Sequence, residues 1–170
     1  MHKDIDEVVN SLKSDLEQID RYLKLKNLSN AFNKTKLIIF DETTPPGSQY
    51  IQISKNTIYN TSEAKLLGIL WNYKLSWKEH IQKISIKAKK IFRVMKFISA
   101  HSWGAHPTTL LHVYKAYIRS VLKYASFIYH EESKSALQKL NAVQNNALRT
   151  ISGCFKTTPI NILHHICGIH

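Results

Sequence analysis

The feature that most constrains this chain is a long helical pattern between Trp77 and Ile98. Apolar residues recur there at alternating steps of four and three, which places them on one face of an α-helix. Basic residues occupy positions off that stripe, so the pattern predicts a helix that faces a core on one side and an anion on the other. The stripe is Trp77, Ile81, Ile84, Ala88, Ile91, Met95 and Ile98, and the basic residues are Lys83, Lys87, Lys89, Lys90, Arg93 and Lys96.

A second helix of the same design is predicted from Leu110 to Tyr129. Lys115, Arg119 and Lys123 are four residues apart, which predicts a shared face away from the apolar stripe. No acidic residue occurs from His80 to His130. This asymmetry points to a polyanion as the partner. The second stripe is Leu111, Tyr114, Ile118, Val121, Leu122, Ala125 and Ile128.

The composition agrees with a folded, strongly basic protein. With 170 residues, 44% of them hydrophobic, the chain can bury a core as one domain, or as one domain with a small appendage. Its formal charge of +12 favours association with nucleic acid or an anionic membrane. Eight of the twelve acidic residues fall at or before Glu42, which suggests two functional surfaces.

The sequence contains no apolar run of the roughly 20 residues that span a membrane, and no membrane partner is expected. Its first residues are acidic and lack the apolar region of a signal peptide. Two cysteines, Cys154 and Cys167, do not make a disulfide framework. We therefore expect an intracellular protein, nuclear or cytoplasmic.

The first 72 residues mix helix and strand signals. An amphipathic helix is predicted at 4–28, and the short apolar run 37–40 predicts a buried strand. Pro45, Pro46 and Gly47 indicate a loop over 41–48. Alternation after Tyr50 predicts a hairpin of 50–54 with 57–59, and 65–71 predicts a further strand broken by Gly68.

Beyond residue 72 the sequence is entirely helical. A third helix is predicted at 135–151, with Gly153 as its C-cap glycine, and Thr158-Pro159 predicts an N-cap with proline at the first helical position. The fold class is thus α+β and mostly α: an N-terminal helix with a small antiparallel sheet, then a three- to four-helix bundle. The predicted divisions are 1–72, 73–152 and a C-terminal tail at 153–170.

Several short stretches occur in a distinctive order and spacing. They are residues 34–40 (KTKLIIF), 65–69 (KLLGI), 75–81 (LSWKEHI), 114–116 (YKA), 119–122 (RSVL), Tyr124, 143–149 (VQNNALR), Gly153 and 157–159 (TTP). Together they resemble reverse transcriptases of non-LTR (LINE-type, jockey-like) retrotransposons. The likeness covers nearly the whole chain and corresponds to the end of the palm and the thumb.

The resemblance implies a back portion of an RNA-directed DNA polymerase. Such polymerases use paired carboxylates, usually in a Tyr-x-Asp-Asp motif, to hold Mg²⁺ ions, and this chain has no such motif. The resemblance implies that the catalytic motif would precede this chain. We therefore expect the chain alone to be inactive and to hold no cofactor. A thumb would grip the backbone of an RNA–DNA or double-stranded template–primer, and a missing palm and fingers portion is a possible partner.

Two candidate binding sites follow, each with a plainer alternative. Residues Lys65, Leu66, Leu67 and Gly68 resemble a primer grip, but a core or edge strand with a glycine bulge explains them equally well. The basic helix faces could be merely solvated, yet two such helices without acids favour phosphate binding. The nucleic-acid-binding candidates are Lys83, Lys87, Lys90, Arg93, Lys115, Arg119 and Lys123. We expect most of the nearby aromatic residues to lie in the core, and we expect Tyr117 to reach a base or ribose. These aromatic residues are Trp77, Phe92, Trp103, Tyr117 and Tyr124.

Three groups imitate metal or catalytic sites, and for each the plainer explanation is preferred. Asp4 with Asp6 matches the acidic first turn of a helix, and Asp41-Glu42 a loop pair. The zinc-type residues Cys154, His164, His165 and Cys167 match no common finger spacing. No metal site and no catalytic residue is therefore predicted.

Three functional classes remain open. The chain could be a non-catalytic piece of a retrotransposon polymerase or a surviving nucleic-acid-binding module. It could also be a helical interaction protein, or a remnant, whose first helix and strand edges expose apolar surface.

Overall fold

The computed structural model describes residues 5–53, 55–100 and 104–169 and divides the chain into two compact units, 1–76 and 77–170. The fold is α+β and mostly helical, as the sequence predicted. The first unit holds α1 (Ile5–Leu25), β1 (Tyr50–Ile53), β2 (Asn56–Tyr59), β3 (Glu63–Leu66) and β4 (Ile69–Asn72); the second holds α2 (Lys78–Ile98), α3 (Pro107–Val113), a π-helical segment (Tyr114–Arg119), α4 (Ser120–Lys123), α5 (Ser126–Tyr129), α6 (Lys134–Ser152) and α7 (Ile160–Ile166).

Helix α1 confirms the first predicted helix, although Asp4 lies outside the described residues. It ends where Asn27 adopts a left-handed φ of 55°, which lets the amides of Asn27 and Leu28 bond back to the carbonyls of Lys24 and Leu23. Its one buried residue is Asp20, whose carboxylate accepts a hydrogen bond from Asn30 Nδ2 (2.9 Å) and lies 2.6 Å from Lys24 Nζ. The acid therefore fixes the chain that follows the helix.

The apolar face of α1 is only partly covered. Val9 and Leu16 pack against the small core of the first unit, whose buried members are Leu37, Ile51, Ile53 and Ile58. On the same helix Val8, Leu12, Ile19 and Tyr22 remain 38–60% exposed.

The strand predicted at 37–40 is wrong. Leu37 alone forms a bridge, parallel to Asn60, and Thr61 donates its amide to the Leu37 carbonyl at 2.8 Å. Leu37 is buried, whereas Phe40 is half exposed. An apolar run can cover a core as an extended segment without a neighbouring strand, so hydrophobicity alone could not separate the two cases.

The hairpin predicted after Tyr50 is confirmed. Strands β1 and β2 pair antiparallel, with Tyr50 opposite Tyr59 and Ile53 opposite Asn56. Ile51 and Ile53 are buried and Gln52 is exposed, as strand alternation requires.

The single strand predicted at 65–71 is wrong, because this stretch forms most of a second hairpin. Strands β3 and β4 pair antiparallel, with Leu66 opposite Ile69, and Leu67 and Gly68 form the turn. Both turn residues have positive φ, 50° and 85°, as a two-residue type I′ turn requires. Gly68 is therefore a turn glycine and not a bulge.

Helices α2 and α6 confirm the first and third predicted helices and pack closely on each other. Every residue of the predicted α2 stripe is buried or half-buried. Helix α6 also turns an apolar face inward, and Gly153 ends that helix with φ 68°. Its buried or half-buried residues include Leu137, Leu140, Val143, Ala147 and Ile151. Together they build the larger of the two cores.

The helix predicted at 110–129 is wrong as a single element. The chain is helical from Pro107 to Lys123, with a π-helical segment in the middle, and it breaks at Ala125, whose φ is 55°. The buried Tyr129 hydroxyl donates to the Leu122 carbonyl at 2.7 Å, which satisfies one carbonyl that the break leaves open.

The last helix begins one residue later than predicted, because Pro159 has the extended ψ of 145° typical of an N-cap and helical geometry starts at Ile160. Thr158 is therefore not the N-cap. Helix α7 packs onto α6, and Leu163, Cys167 and Ile169 are buried in the core of the second unit.

Candidate nucleic-acid interface

The outer face of α2 is a basic surface. Lys83, Lys87, Lys90 and Arg93 are all exposed, as expected from their positions off the apolar stripe. On the opposite face Ile81, Ala88 and Met95 are fully buried. Burial of that face fixes the rotation of the helix, so the basic side chains must point to solvent.

The second basic helix differs from its expected geometry. Lys115 and Lys123 are exposed, but Arg119 is only half-exposed. The segment Tyr114–Arg119 is π-helical, so the positions in and after it are rotated relative to those of a regular α-helix. The Ser120 hydroxyl lies 2.6 Å from the Ala116 carbonyl and 3.1 Å from that of Tyr117, at the end of the π-helical segment.

The structure places both basic helices in one packed body. Helix α2 contacts the π-helical segment and α4, and Tyr114, Ile118 and Leu122 are buried behind the exposed lysines. Seven predicted side chains on these elements form what we call the basic helix surface: Lys83, Lys87, Lys90, Arg93, Lys115, Arg119 and Lys123.

The charge of this unit is nearly all of one sign. Residues 77–170 contain 14 lysines and arginines but only three acids, a net of +11. The acids are Glu79, in the first turn of α2, and the neighbours Glu131 and Glu132. Glu132 accepts hydrogen bonds from the amides of Trp77 (2.9 Å) and Ser133 (3.1 Å), so it lies at the beginning of α2. Most of the length of α2 therefore carries no acidic side chain.

These hydrogen bonds also explain the acidity of Glu132. The amides of Ser133 and Trp77 stabilise its carboxylate and lower its pKa, and Lys78 contributes in the same direction. The side chain thus remains an anion that ties the loop before α6 to the start of α2. Sequence reasoning missed this role, because Glu132 is 55 residues from its partner.

A buried histidine lies under the same end of α2. His80 packs its ring edge-on against Trp77 (centroids 6.4 Å apart) and Tyr129 (5.8 Å). Burial lowers its pKa, and the nearby Lys83 lowers it further. The neutral imidazole is therefore favoured, and His80 belongs to the core and not to the basic helix surface.

Two of the aromatic residues named from the sequence are exposed in this unit. Tyr117, in the π-helical segment, and Tyr124, directly after α4, are more than half exposed. Trp77 and Phe92 instead pack against the core, and Trp103 lies outside the described residues. Tyr117 therefore stays the aromatic residue predicted to contact a ribose or base.

The segment that resembles a primer grip lies in the first unit. Lys65 and Leu66 end β3, and Leu67 and Gly68 form the hairpin turn. All four are exposed, Leu67 at 80%. They are therefore a solvent-facing hairpin end and not part of a core.

The groups considered as metal sites have other surroundings. Asp41 accepts hydrogen bonds from the hydroxyls of Thr43 and Thr44, which lower its pKa, so it stabilises its own loop. Cys167 is buried with its Sγ 3.9 Å from the Leu148 carbonyl. Within the described part of the chain, no three His, Cys, Asp or Glu residues lie where they could hold a metal. In the same residues, no helix is long and apolar enough to cross a membrane.

Comparison of the chain with known proteins finds no match: no family model, no curated protein and no solved structure is similar to it at a significant level. The resemblance to reverse transcriptases therefore stays a prediction.

Proposed function

We propose that this chain is a non-catalytic portion of a retrotransposon-type RNA-directed DNA polymerase that grips an RNA–DNA or double-stranded template–primer. The basic helix surface makes the contacts, through phosphates and without reading sequence. The polymerase part of the proposal is supported by the order of the resembling stretches alone. We place such a protein inside the cell, in the nucleus or cytoplasm, where its nucleic-acid partner occurs.

The observation that carries the binding proposal is the net charge of +11 on a unit whose two basic helices pack side by side. A duplex has one phosphate per about 1.7 Å of axis, whereas α2, with 21 residues at about 1.5 Å each, is roughly 30 Å long. Its exposed lysines can therefore follow several phosphates at once.

Salt dependence tests the proposal. If the surface neutralises about six phosphates of a blunt RNA–DNA duplex, the logarithm of the association constant should fall with the logarithm of salt concentration at a slope of about −5. Fluorescence anisotropy with the full chain measures this slope. A flat dependence would contradict phosphate binding.

The catalytic part is tested by primer extension. With template, primer, nucleotides and Mg²⁺, the full chain should add no nucleotide, because its sequence contains no Tyr-x-Asp-Asp motif. Templated synthesis that substitutions in this chain abolish would overturn the proposal.

A second candidate function is self-association through α1. Its exposed apolar residues Val8, Leu12, Ile19 and Tyr22 form one stripe, which a second copy would cover. The helix begins with Asp6 and Glu7 and ends with Arg21 and Lys24, followed by Lys26, so an antiparallel pair brings opposite charges together.

Sedimentation equilibrium distinguishes this candidate. A dimer that Leu12→Lys with Ile19→Lys dissociates would support it, with Ile86→Lys and Val94→Lys, at exposed positions on α2, as a matched double control. A monodisperse monomer with a sharp cooperative melt would contradict it.

A further inference from the structure

The first unit contains a cleft of about 390 Å³ that the basic helix surface does not involve. Its walls are largely apolar and include Phe40, Leu66 and Trp71. Three lysines, Lys34, Lys36 and Lys65, also line it, and its lining includes no acidic residue. The volume falls in the range of ligand sites in proteins.

The cleft combines two kinds of contact. Phe40 lies beside Trp71, with ring centroids 6.2 Å apart and planes inclined by 58°, and about half of the Phe40 surface is exposed. Lys34, Lys36 and Lys65 are all exposed, so their ammonium groups are hydrated and available to an anion. A ligand that fits must join a flat apolar surface to several negative charges.

We infer that this cleft binds a short stretch of single-stranded nucleic acid. An unpaired base stacks on Phe40, and Lys34, Lys36 and Lys65 contact the adjoining phosphates. A base inside a duplex cannot bind in this way, because it is stacked between its neighbours and leaves only its edges and the backbone accessible. The cleft therefore selects unpaired nucleotides, a property that backbone contacts on the basic helix surface cannot supply. The inference stands on the first unit and does not depend on the proposed function.

The test uses the full chain in a background that suppresses binding by the second unit. In that background Lys87, Lys90, Lys115 and Lys123, all exposed, are changed to Glu. The probes are a fluorescein-labelled pentanucleotide, the same strand with abasic sites, a mononucleotide and a blunt duplex. Phe40→Ala removes the stacking surface, and Phe127→Ala, at a residue 76% exposed in the other unit, is the matched control.

We expect Phe40→Ala to weaken pentanucleotide binding roughly 10-fold, since it removes the aromatic ring on which one base stacks. The abasic strand should bind weakly and equally to both proteins, and Phe127→Ala should change nothing. Changing Lys34, Lys36 and Lys65 together to Glu should abolish binding, whereas the same change at Lys13, Lys55 and Lys74 should weaken it far less.

Three results would overturn the inference. The first is abasic binding as tight as that of the normal strand, and the second is an unchanged affinity in Phe40→Ala. The third is a mononucleotide that binds as tightly as the pentanucleotide, which would assign the cleft to a free nucleotide. With the second unit unaltered, Phe40→Ala should bind the duplex as tightly as the original protein does. Failure of the single-strand inference can therefore be distinguished from failure of the proposed grip on a duplex.

Discussion

The two units of this chain differ in charge far more than in size. Residues 1–76 contain ten basic and nine acidic residues, a net of +1, whereas residues 77–170 contain 14 and three, a net of +11. The basic excess is therefore a property of one unit. A charge that served only solubility would not need to be confined in this way, and its confinement favours a dedicated anion-binding surface.

The units also differ in how well they bury their apolar residues, and here the second unit is the more complete. Among the described residues, the apolar cluster beneath α1 has four buried members, and α1 leaves apolar side chains exposed. The second unit encloses residues from α2, α3, α6 and α7 in one large core. The well-packed interior of the second unit can offset mutual repulsion among its lysines, whereas the first unit buries fewer apolar residues to stabilise it.

The largest effect is expected from opening a cavity in the second unit. Leu148, on α6, is fully buried, so Leu148→Ala should lower the free energy of unfolding by about 2–5 kcal/mol and weaken duplex binding at 37 °C. Urea titration followed by circular dichroism measures the loss. Ile51→Ala in the first unit is the counterpart and should leave duplex binding intact; equal loss of duplex binding in both variants would break the distinction between the units.

A smaller effect is expected where Glu132 holds the beginning of α2. Glu132→Ala removes the acceptor of two backbone amides and should destabilise the second unit by about 1 kcal/mol. Glu131→Ala removes the same charge from a fully exposed position and should change stability by less than about 0.5 kcal/mol. Equal losses in urea unfolding would show that charge, and not the hydrogen bonds, matters.

The first unit can be strengthened at its hairpin turn. Leu67 has a φ of 50°, which is strained for a bulky residue, and it is 80% exposed. Leu67→Asn creates the Asn-Gly pair that type I′ turns prefer and should stabilise this unit by up to about 1 kcal/mol. Amide hydrogen exchange in β3 and β4 should slow, and faster exchange would contradict the turn assignment.

The subtlest difference is a pH dependence confined to the second unit. Because burial lowers the pKa of His80 below its ordinary value of 6.5, the unfolded chain binds a proton more readily than the folded one. The free energy of unfolding should therefore fall as pH drops below about 6.5. His80→Phe should flatten this dependence in urea titrations between pH 7.5 and 5.5, and His112→Phe, exposed on α3, should not.

Much of the fold could be predicted from sequence because helical periodicity is a strong local signal. The seven-residue stripe of α2 and the alternation in β1 each matched what the structure buries. The wrong predictions fall where the backbone conformation is unusual for the residue type. Leu67 and Ala125 adopt positive φ, which leucine and alanine rarely do. The sequence pattern therefore predicts one strand where the structure has a hairpin, and one continuous helix where the structure has a broken one.

The candidate site could be predicted only in part, for a related reason. Exposure of the lysines followed from periodicity, but residue spacing indicates neither the half-burial of Arg119 nor the π-helical segment that contains it. The bond from Glu132 to α2, and the cleft where Lys34 and Lys36 meet Lys65, join residues distant in sequence. Such contacts are set by tertiary packing, which a single sequence does not reveal.

Two matched charge reversals in the full chain test whether the second unit itself grips the duplex. One changes Lys87, Lys90, Lys115 and Lys123 to Glu, and the other changes Lys13, Lys26, Lys55 and Lys74 to Glu, so both lower the net charge by eight. Binding to a blunt RNA–DNA duplex is then measured at a fixed salt concentration. We predict that the first variant loses at least about 100-fold in affinity for the duplex, while the affinity of the second stays within about 10-fold of that of the original protein. Equal losses in the two variants would show that duplex binding follows net charge alone and would contradict a specific grip by the second unit.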